Sequence, residues 1–353
     1  MRVVALGGGT GLPVVLKGLR EALFPPGRRW APSEDRPRLT AVVTVADDGG
    51  SSGRLRQAYG MPAPGDIRNC LLALAGERSD VAPIFDHRFN GRGGAGLYGH
   101  SLGNLILTAL YQIENDFSRA VRRAGRILGV RGQVLPATLD DVTLLAELTD
   151  GEEIVGESRI AAAGRPTRRV RLRPSGARAL PQALEAIGRA DLIVIGPGSL
   201  YTSLIPVLLV QDLAAAIAQS KARIVLIMNL MVEPGETDGY TATDILLAIR
   251  RHAPRVRIDD VLLNDSPIAR DRVEPYARGG AAPILVDAEA LRALGCRPIA
   301  RDILGAGPLV RHDPAKVGRA LLDPSAERWR AMHRHVMEAG DCAGAGPPGG
   351  GLR

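Results

Sequence analysis

Residues 3–11 read Val-Val-Ala-Leu-Gly-Gly-Gly-Thr-Gly, and an apolar-periodic stretch from Leu12 to Leu23 follows at once. Four uncharged apolar residues running straight into glycines describe a buried strand that turns into a helix. In an open α/β sheet such a turn lets backbone N–H groups approach a phosphate at the helix N-terminus. The spacing is GxGxG, not the GxGxxG of dinucleotide folds, and the Walker GK[ST] is missing because Lys17 lies too far into the helix. Gly8, Gly9, Thr10 and Gly11 are therefore phosphate-loop candidates. A strand–helix turn without a ligand is the alternative.

The same grammar recurs along the chain. Leu39 to Val45, Asp191 to Ile195, Arg223 to Met228, Ile258 to Leu263 and Ile284 to Val286 read as strands, most of them separated by helical patterns. Such alternation predicts a Rossmann-like α/β fold with a doubly wound, mostly parallel sheet. One α/β domain is expected over residues 1–338, with a helical lobe at about 65–130 and a β-hairpin insertion at about 132–173. Residues 24–38 read as a surface loop and residues 339–353 as a disordered tail. The uncharged stretch Leu192 to Val210 contains Gly-Pro-Gly-Ser and Pro206, so it reads as strand, loop and helix start and not as a membrane span.

Polar residues cluster where the strands end. Asp47 and Asp48, with Ser51 and Ser52 after them, could hold Mg²⁺ bridging phosphates, a ribose hydroxyl, or an anion nest. Asp66, Arg68 and Asn69 open an apolar helix, where Asp66 could equally be a plain N-cap. His100 and Asn104 share a helix face. Gly196, Gly198 and Ser199 form a second glycine loop, and Asn229 with Glu236 to Tyr240 follows a further strand. Two such loops on one parallel sheet predict a diphosphate ligand at the topological switch point.

Composition narrows the partners. The net charge of +7 fits nucleic acid, phosphorylated ligands or an anionic surface. With only four Phe, two Trp and six Tyr in 353 residues, an RNA stacking platform is excluded. Tyr201, Tyr240 and Tyr276 stand out as the residues able to stack on a base. The basic face at Arg119, Arg122, Arg123 and Arg126 reads as solvated, so no nucleic-acid partner is expected. Cys70, Cys296 and Cys342 form no CxxC pair, which argues against a zinc site or disulfide framework and fits a reducing cytoplasm. The glycine loop begins after six residues, too early for a signal-peptide core. No HExxH or kinase set occurs, and spacing assigns no Ser–His or Cys–His pair.

The runs ALGGGTG, TVADDGGSSGRLR, PGDIRNCLLALA, YGHSLGNLILTAL, IVIGPGSLYTSLIPVLLV and NLMVEPGETDGYTATD, together spanning about residues 5–244, resemble the YvcK/CofD-like family. RVEPYARGGAAPILVD through LVRHDPAKVGRALLD extends the likeness to about residue 323. DDGGSSGRLR and ETDGYTATD place it nearer the YvcK branch, the gluconeogenesis factors. That resemblance implies a cytoplasmic regulator that binds UDP-N-acetylglucosamine and is linked to gluconeogenic growth, cell shape and peptidoglycan synthesis. It needs no cofactor, and a homo-oligomer with a protein partner in cell-wall regulation is expected. The resemblance further implies that Tyr276 and Arg311, in the matching C-terminal segments, help hold the UDP-sugar. The other branch implies a Mg²⁺-dependent 2-phospho-L-lactate transferase of deazaflavin cofactor synthesis, with Asp47 and Asp48 as metal ligands. An NAD-binding module is the third reading, disfavoured by the GxGxG spacing.

Overall fold

A computed structural model describes residues 1–25, 38–76, 79–90 and 96–323. Most of the expected surface loop at 24–38 and the whole expected tail at 339–353 lie outside the described residues. The strands in chain order are β1 (Val3–Gly7), β2 (Leu39–Val43), β3 (Gln133–Pro136), β4 (Thr143–Leu148), β5 (Glu153–Val155), β6 (Thr167–Arg173), β7 (Leu192–Ile195), β8 (Arg223–Ile227), β9 (Asp260–Asn264) and β10 (Arg297–Arg301). Seven of them form one sheet in the order β10-β9-β8-β7-β1-β2-β3. Every neighbouring pair in it is parallel.

Side-chain alternation explains why the central strands read as unbroken apolar runs. Val4, Leu6, Val42, Ile193, Ile195, Ile224 and Leu226 enter the core on one face. Val3, Ala5, Ala41, Val43, Leu192, Val194, Val225 and Ile227 enter the core on the other. Both faces are covered, which is the condition for an all-parallel sheet.

The helices Gly65–Leu74, Ala82–Asp86, Leu102–Glu114 and Phe117–Leu128 form the lobe predicted at about 65–130 and link β2 to β3. Local chemistry starts two of them: Ser101 accepts from Asn104 N–H, and Asp116 accepts from Arg119 N–H. Their apolar residues, such as Ile67, Leu71, Leu107 and Val121, pack with the helix Gly11–Leu23 in one core. The opposite core receives Leu144, Ala146, Val170 and Leu172 of the insertion. Lobe and insertion thus cover opposite faces of one sheet.

Three expectations change. The insertion begins later than 132 and holds more than a hairpin: β3 belongs to the parallel sheet, β4 and β5 form the expected antiparallel hairpin, and β6 pairs with β4 to complete a three-stranded sheet with the helix Glu157–Ala163 between β5 and β6. Ile284 to Val286 forms no strand; Leu285 makes a single bridge to Thr241 and is 71% exposed. The edge strand beside β9 is β10, whose Arg-Pro-Ile-Ala-Arg sequence hides it, because an edge strand needs no continuous apolar run. The uncharged stretch at 192–210 resolves into β7, a loop, a π-helical turn Leu200–Leu204 and the helix Ile205–Leu208. Among the described residues no single helix is long and apolar enough to cross a membrane.

Candidate functional site

The chain leaves β1 toward β2 on one side, while β7 pairs with β1 on the other, so the sheet changes direction between β1 and β7. Ligand crevices of open α/β sheets form at the carboxyl ends of such strands. Both glycine loops lie here. They touch so closely that a Cβ on Gly11 would fall 2.1 Å from the Pro197 carbonyl oxygen. Gly9 adopts φ +61° and its N–H donates to Asp66 Oδ2 at 2.8 Å. Thr10 is exposed, and its side chain makes no cap hydrogen bond at the start of the helix Gly11–Leu23.

The loop after β7 is closed differently. Gly198 N–H donates to Asn229 Oδ1 at 3.0 Å, and Asn229 Nδ2 donates to the Gly198 carbonyl at 2.9 Å. Asn229 therefore clips the loop in place. Glu236 Oε1 accepts from Tyr201 N–H at 2.7 Å and Thr202 N–H at 3.2 Å, capping the start of the next helix.

Carboxyl groups gather beside these loops. Asp47 Oδ1 accepts from Gly49 N–H at 2.9 Å. Asp48 Oδ1 accepts from Ser158 N–H at 2.8 Å, tying the insertion to the end of β2. That tie brings Glu157 into the site, a residue the sequence did not nominate. Burial pushes its pKa up to about 7, the negative charges of Asp47, Asp66 and Asp48 add to this, and a hydrogen bond with Thr202 opposes it. Burial likewise lifts Asp66 to about 6, against the pull of Gly9 N–H and with a push from Asp47. Asp66 sits inside the helix Gly65–Leu74 and is not its N-cap, which is Pro64.

Ser51, Arg68, Asn69, His100 and Asn104 come together as one interior network. Ser51 Oγ lies 2.8 Å from His100 Nδ1 and accepts from Asn104 Nδ2 at 3.0 Å. Burial lowers the His100 pKa, and Arg54 and Arg88 lower it further. In the neutral ring Nδ1 accepts from the Ser51 hydroxyl when the proton is on Nε2 and donates to it when the proton is on Nδ1. Arg68 bonds Ser101, Asn104 and Asn69. Ser52 Oγ accepts from Gly65 N–H at 3.2 Å. The Ser–His pair that spacing did not assign does exist, but only 6% of Ser51 and 5% of His100 is exposed.

A cavity of about 210 Å³ opens at the ends of β8 and β9, lined by Met228, Asn229, Leu230, Leu263, Asn264 and Ile284 among others. Asn229 thus forms a wall of the cavity and holds the second loop at once. Tyr276 packs with Leu230 and Ile268 beside the cavity, and its hydroxyl accepts from Val310 N–H at 3.1 Å. Arg311 is exposed on the segment that follows. His312 Nε2 donates to the Met228 carbonyl at 3.1 Å, and burial pushes its pKa down to about 4. Tyr201 is fully buried with its hydroxyl 2.9 Å from that of Tyr240, so it is a core residue and not a stacking platform.

Residues 3–304 match the family described as 2-phospho-L-lactate transferase CofD. The chain belongs to the CofD family. Within the CofD family it is 46% identical over 322 residues to the gluconeogenesis factor of Halalkalibacterium halodurans, covering 91% of this chain and 95% of that protein. The gluconeogenesis factor of Bacillus subtilis is 43% identical over 323 residues, covering 91% and 97%. A crystal structure of a Bacillus halodurans protein superposes with a TM-score of 0.84 at 46% identity, covering 91% of this chain and 99% of that one. The gluconeogenesis-factor branch expected from the motifs is the one these relatives carry.

Asp47 and Asp48 also bear on Mg²⁺. Their oxygens suit a hard cation, and each group keeps Oδ2 outside the hydrogen bonds described above. Among the described residues no three His, Cys, Asp or Glu side chains are grouped to hold a metal ion. The fit is therefore to a Mg²⁺ ion that shares its coordination with ligand phosphates and water, not to an all-protein cage.

Proposed function

We propose that this CofD-family protein binds a UDP-sugar, UDP-N-acetylglucosamine, at the switch-point crevice and acts without turnover as a regulator. The observation that carries the reading is the position of Asn229, shared by the cavity at β8 and β9 and by the glycine loop after β7. The base enters that cavity beside Tyr276, which offers its ring, and Arg311 reaches the phosphates from the exposed rim. The diphosphate lies on Gly8, Gly9, Thr10 and Gly11 at the open helix N-terminus, with Gly196, Gly198 and Ser199 on its flank. Sugar hydroxyls donate to the carboxyl groups of Asp47, Asp48, Asp66 and Glu157. The regulator works in the cytoplasm as a homo-oligomer, acts on gluconeogenic growth, cell shape and peptidoglycan synthesis through a protein partner, and needs no bound cofactor.

A second reading rests on the carboxylate pair Asp47 and Asp48: a Mg²⁺-dependent transfer from a nucleotide-diphosphate-activated phospholactate. Calorimetric titration with UDP-N-acetylglucosamine, GDP and NAD, each with and without Mg²⁺, separates the readings. The regulator reading expects saturable, Mg²⁺-independent binding of the UDP-sugar. No heat at millimolar UDP-sugar with folded protein overturns it, and tight binding of GDP only with Mg²⁺ favours the transferase.

A further inference from the structure

Two exposed segments of this chain are rich in arginine, and they are built differently. On β6, Arg168 pairs with Glu147, Arg171 and Arg173 pair with Glu153, and the nearby Arg165 pairs with Asp150 and Glu152. Those arginines are neutralised within the small sheet. The helix Phe117–Leu128 turns Arg119, Arg122, Arg123 and Arg126 to solvent and carries no acidic residue of its own. Arg123 pairs with Glu114 at 2.6 Å, but no described carboxylate pairs with the guanidinium of Arg119 or Arg122. Arg119 faces Arg123, and Arg122 faces Arg126, at the i,i+4 spacing where like charges destabilise a helix. Arg131 adds a further exposed cation just beyond the helix. The fold bears this repulsion, although a single acidic residue on the stripe would relieve it.

The helix beside it supplies the other half of the surface. Asn115, left-handed at φ 48°, ends the helix Leu102–Glu114, and Asp116 caps the next, so the two form a tight antiparallel hairpin. Leu107 and Leu110 of the first and Phe117, Val121 and Leu128 of the second enter the same core. Their outward faces therefore lie side by side. Glu114 is the only charged residue of the first helix, which turns Ala109, Gln112 and Ile113 outward, with Ile113 66% exposed. Ile127, 46% exposed, flanks the arginine stripe on the second. One face thus sets a ridge of arginines against an uncharged, aliphatic ridge. Duplex nucleic acid would use the arginines alone and leave the aliphatic ridge idle. An anionic bilayer uses both: guanidinium groups meet lipid phosphates, and aliphatic side chains enter the headgroup boundary. We propose that the hairpin 102–128 is a peripheral docking face for an anionic lipid surface. This face is independent of the nucleotide-sugar crevice.

Co-sedimentation of the full chain with lipid vesicles tests this. Vesicles of phosphatidylcholine with about 30% phosphatidylglycerol are expected to bind the wild-type chain, and phosphatidylcholine alone to bind it at least about tenfold more weakly. Raising salt from about 0.05 M to about 0.5 M is expected to weaken binding at least about tenfold. Arg119→Glu with Arg122→Glu is expected to cost about tenfold or more. The same reversal at Arg168 and Arg171, which glutamates already hold, is expected to change binding less than about threefold. Ile113→Asp is expected to weaken binding about tenfold, because it takes an aliphatic contact from the boundary and adds a negative charge. Thermal melts check that each variant folds, and Arg119→Gln with Arg122→Gln gives the same direction should the reversal fail to fold. A wild-type chain left in the supernatant with anionic vesicles overturns the proposal. So do folded lobe variants that bind as the wild type does, a β6 pair that loses as much as the lobe pair, or equally tight binding to duplex DNA or polyglutamate.

Discussion

The loop after β1 leaves Thr10 exposed and the helix Gly11–Leu23 without a side-chain cap. The loop after β7 has Gly198 clipped by Asn229 and its following helix capped by Glu236. Both are strand–glycine–helix turns at the same edge of one sheet, and each looks in sequence like a phosphate loop. Only the first is open. The second has become a rigid wall, built by residues that arrive after β8, and it supports the first through the contact of Pro197 with Gly11. A glycine turn thus supplies a shape that either a ligand or the protein itself can fill.

The largest effect expected from disturbing this arrangement comes from Gly11→Ala. Its methyl group would meet the Pro197 carbonyl at 2.1 Å, and backbone cannot rotate out of the way as a side chain does. The loss expected is about 3 kcal/mol, read as a lowered urea midpoint. A loss below about 0.5 kcal/mol would show that the loops are not held against each other.

Glu157→Gln sharpens the electrostatic side of the comparison. Its pKa is 4.5 in ordinary surroundings and about 7 here, so folding disfavours its ionised form. The penalty is absent below pH 4.5, grows toward pH 7 and stays constant above it. The glutamine variant is expected to match the wild-type chain in acid and to exceed it by about 1–2 kcal/mol above pH 7, after allowance for solvent screening. Denaturation midpoints at several pH values decide this; parallel pH profiles would mean the carboxyl is not crowded.

Thr10→Ala should do the least to the fold. The side chain is exposed and caps nothing, so stability is expected to stay within about 0.5 kcal/mol. Binding of the UDP-sugar is expected to weaken about threefold from loss of one hydrogen bond to phosphate. Unaltered affinity in calorimetry would place the diphosphate away from the open loop and dissolve the contrast between the two.

Much of the fold was legible because burial on both faces leaves a plain trace. β1, β2, β7 and β8 are runs without a buried polar alternation, and each ends in glycine, aspartate or asparagine close to the crevice. The reading failed where exposure breaks that trace. β10 carries arginine at both ends and lies at the sheet edge, while Leu285 and Val286 are apolar but 71% and 45% exposed. The site was legible in its loops and in Asp47, Asp48 and Asp66. Glu157 was not, because the tie from Ser158 to Asp48 spans 110 residues and the only local sign is a glycine before a short helix. Tyr201 looked like a stacking residue because it follows a glycine loop, yet packing against the opposite core buries it completely.

The sequence by itself determined the parallel sheet, the lobe, the placement of both glycine loops at strand ends and the membership in the CofD family. These depend on local periodicity and short motifs, which the chain writes out in order. Only the tertiary structure decided which loop stays open, which carboxyl groups crowd the crevice and which polar residues turn inward as scaffold. Those outcomes rest on hydrogen bonds between distant segments: Asn229 reaches back 31 positions to Gly198, and Glu236 reaches back 35 to Tyr201. Partners that far apart in the chain meet only when the sheet sets β7 beside β8, and no local pattern records whose N–H groups they will take.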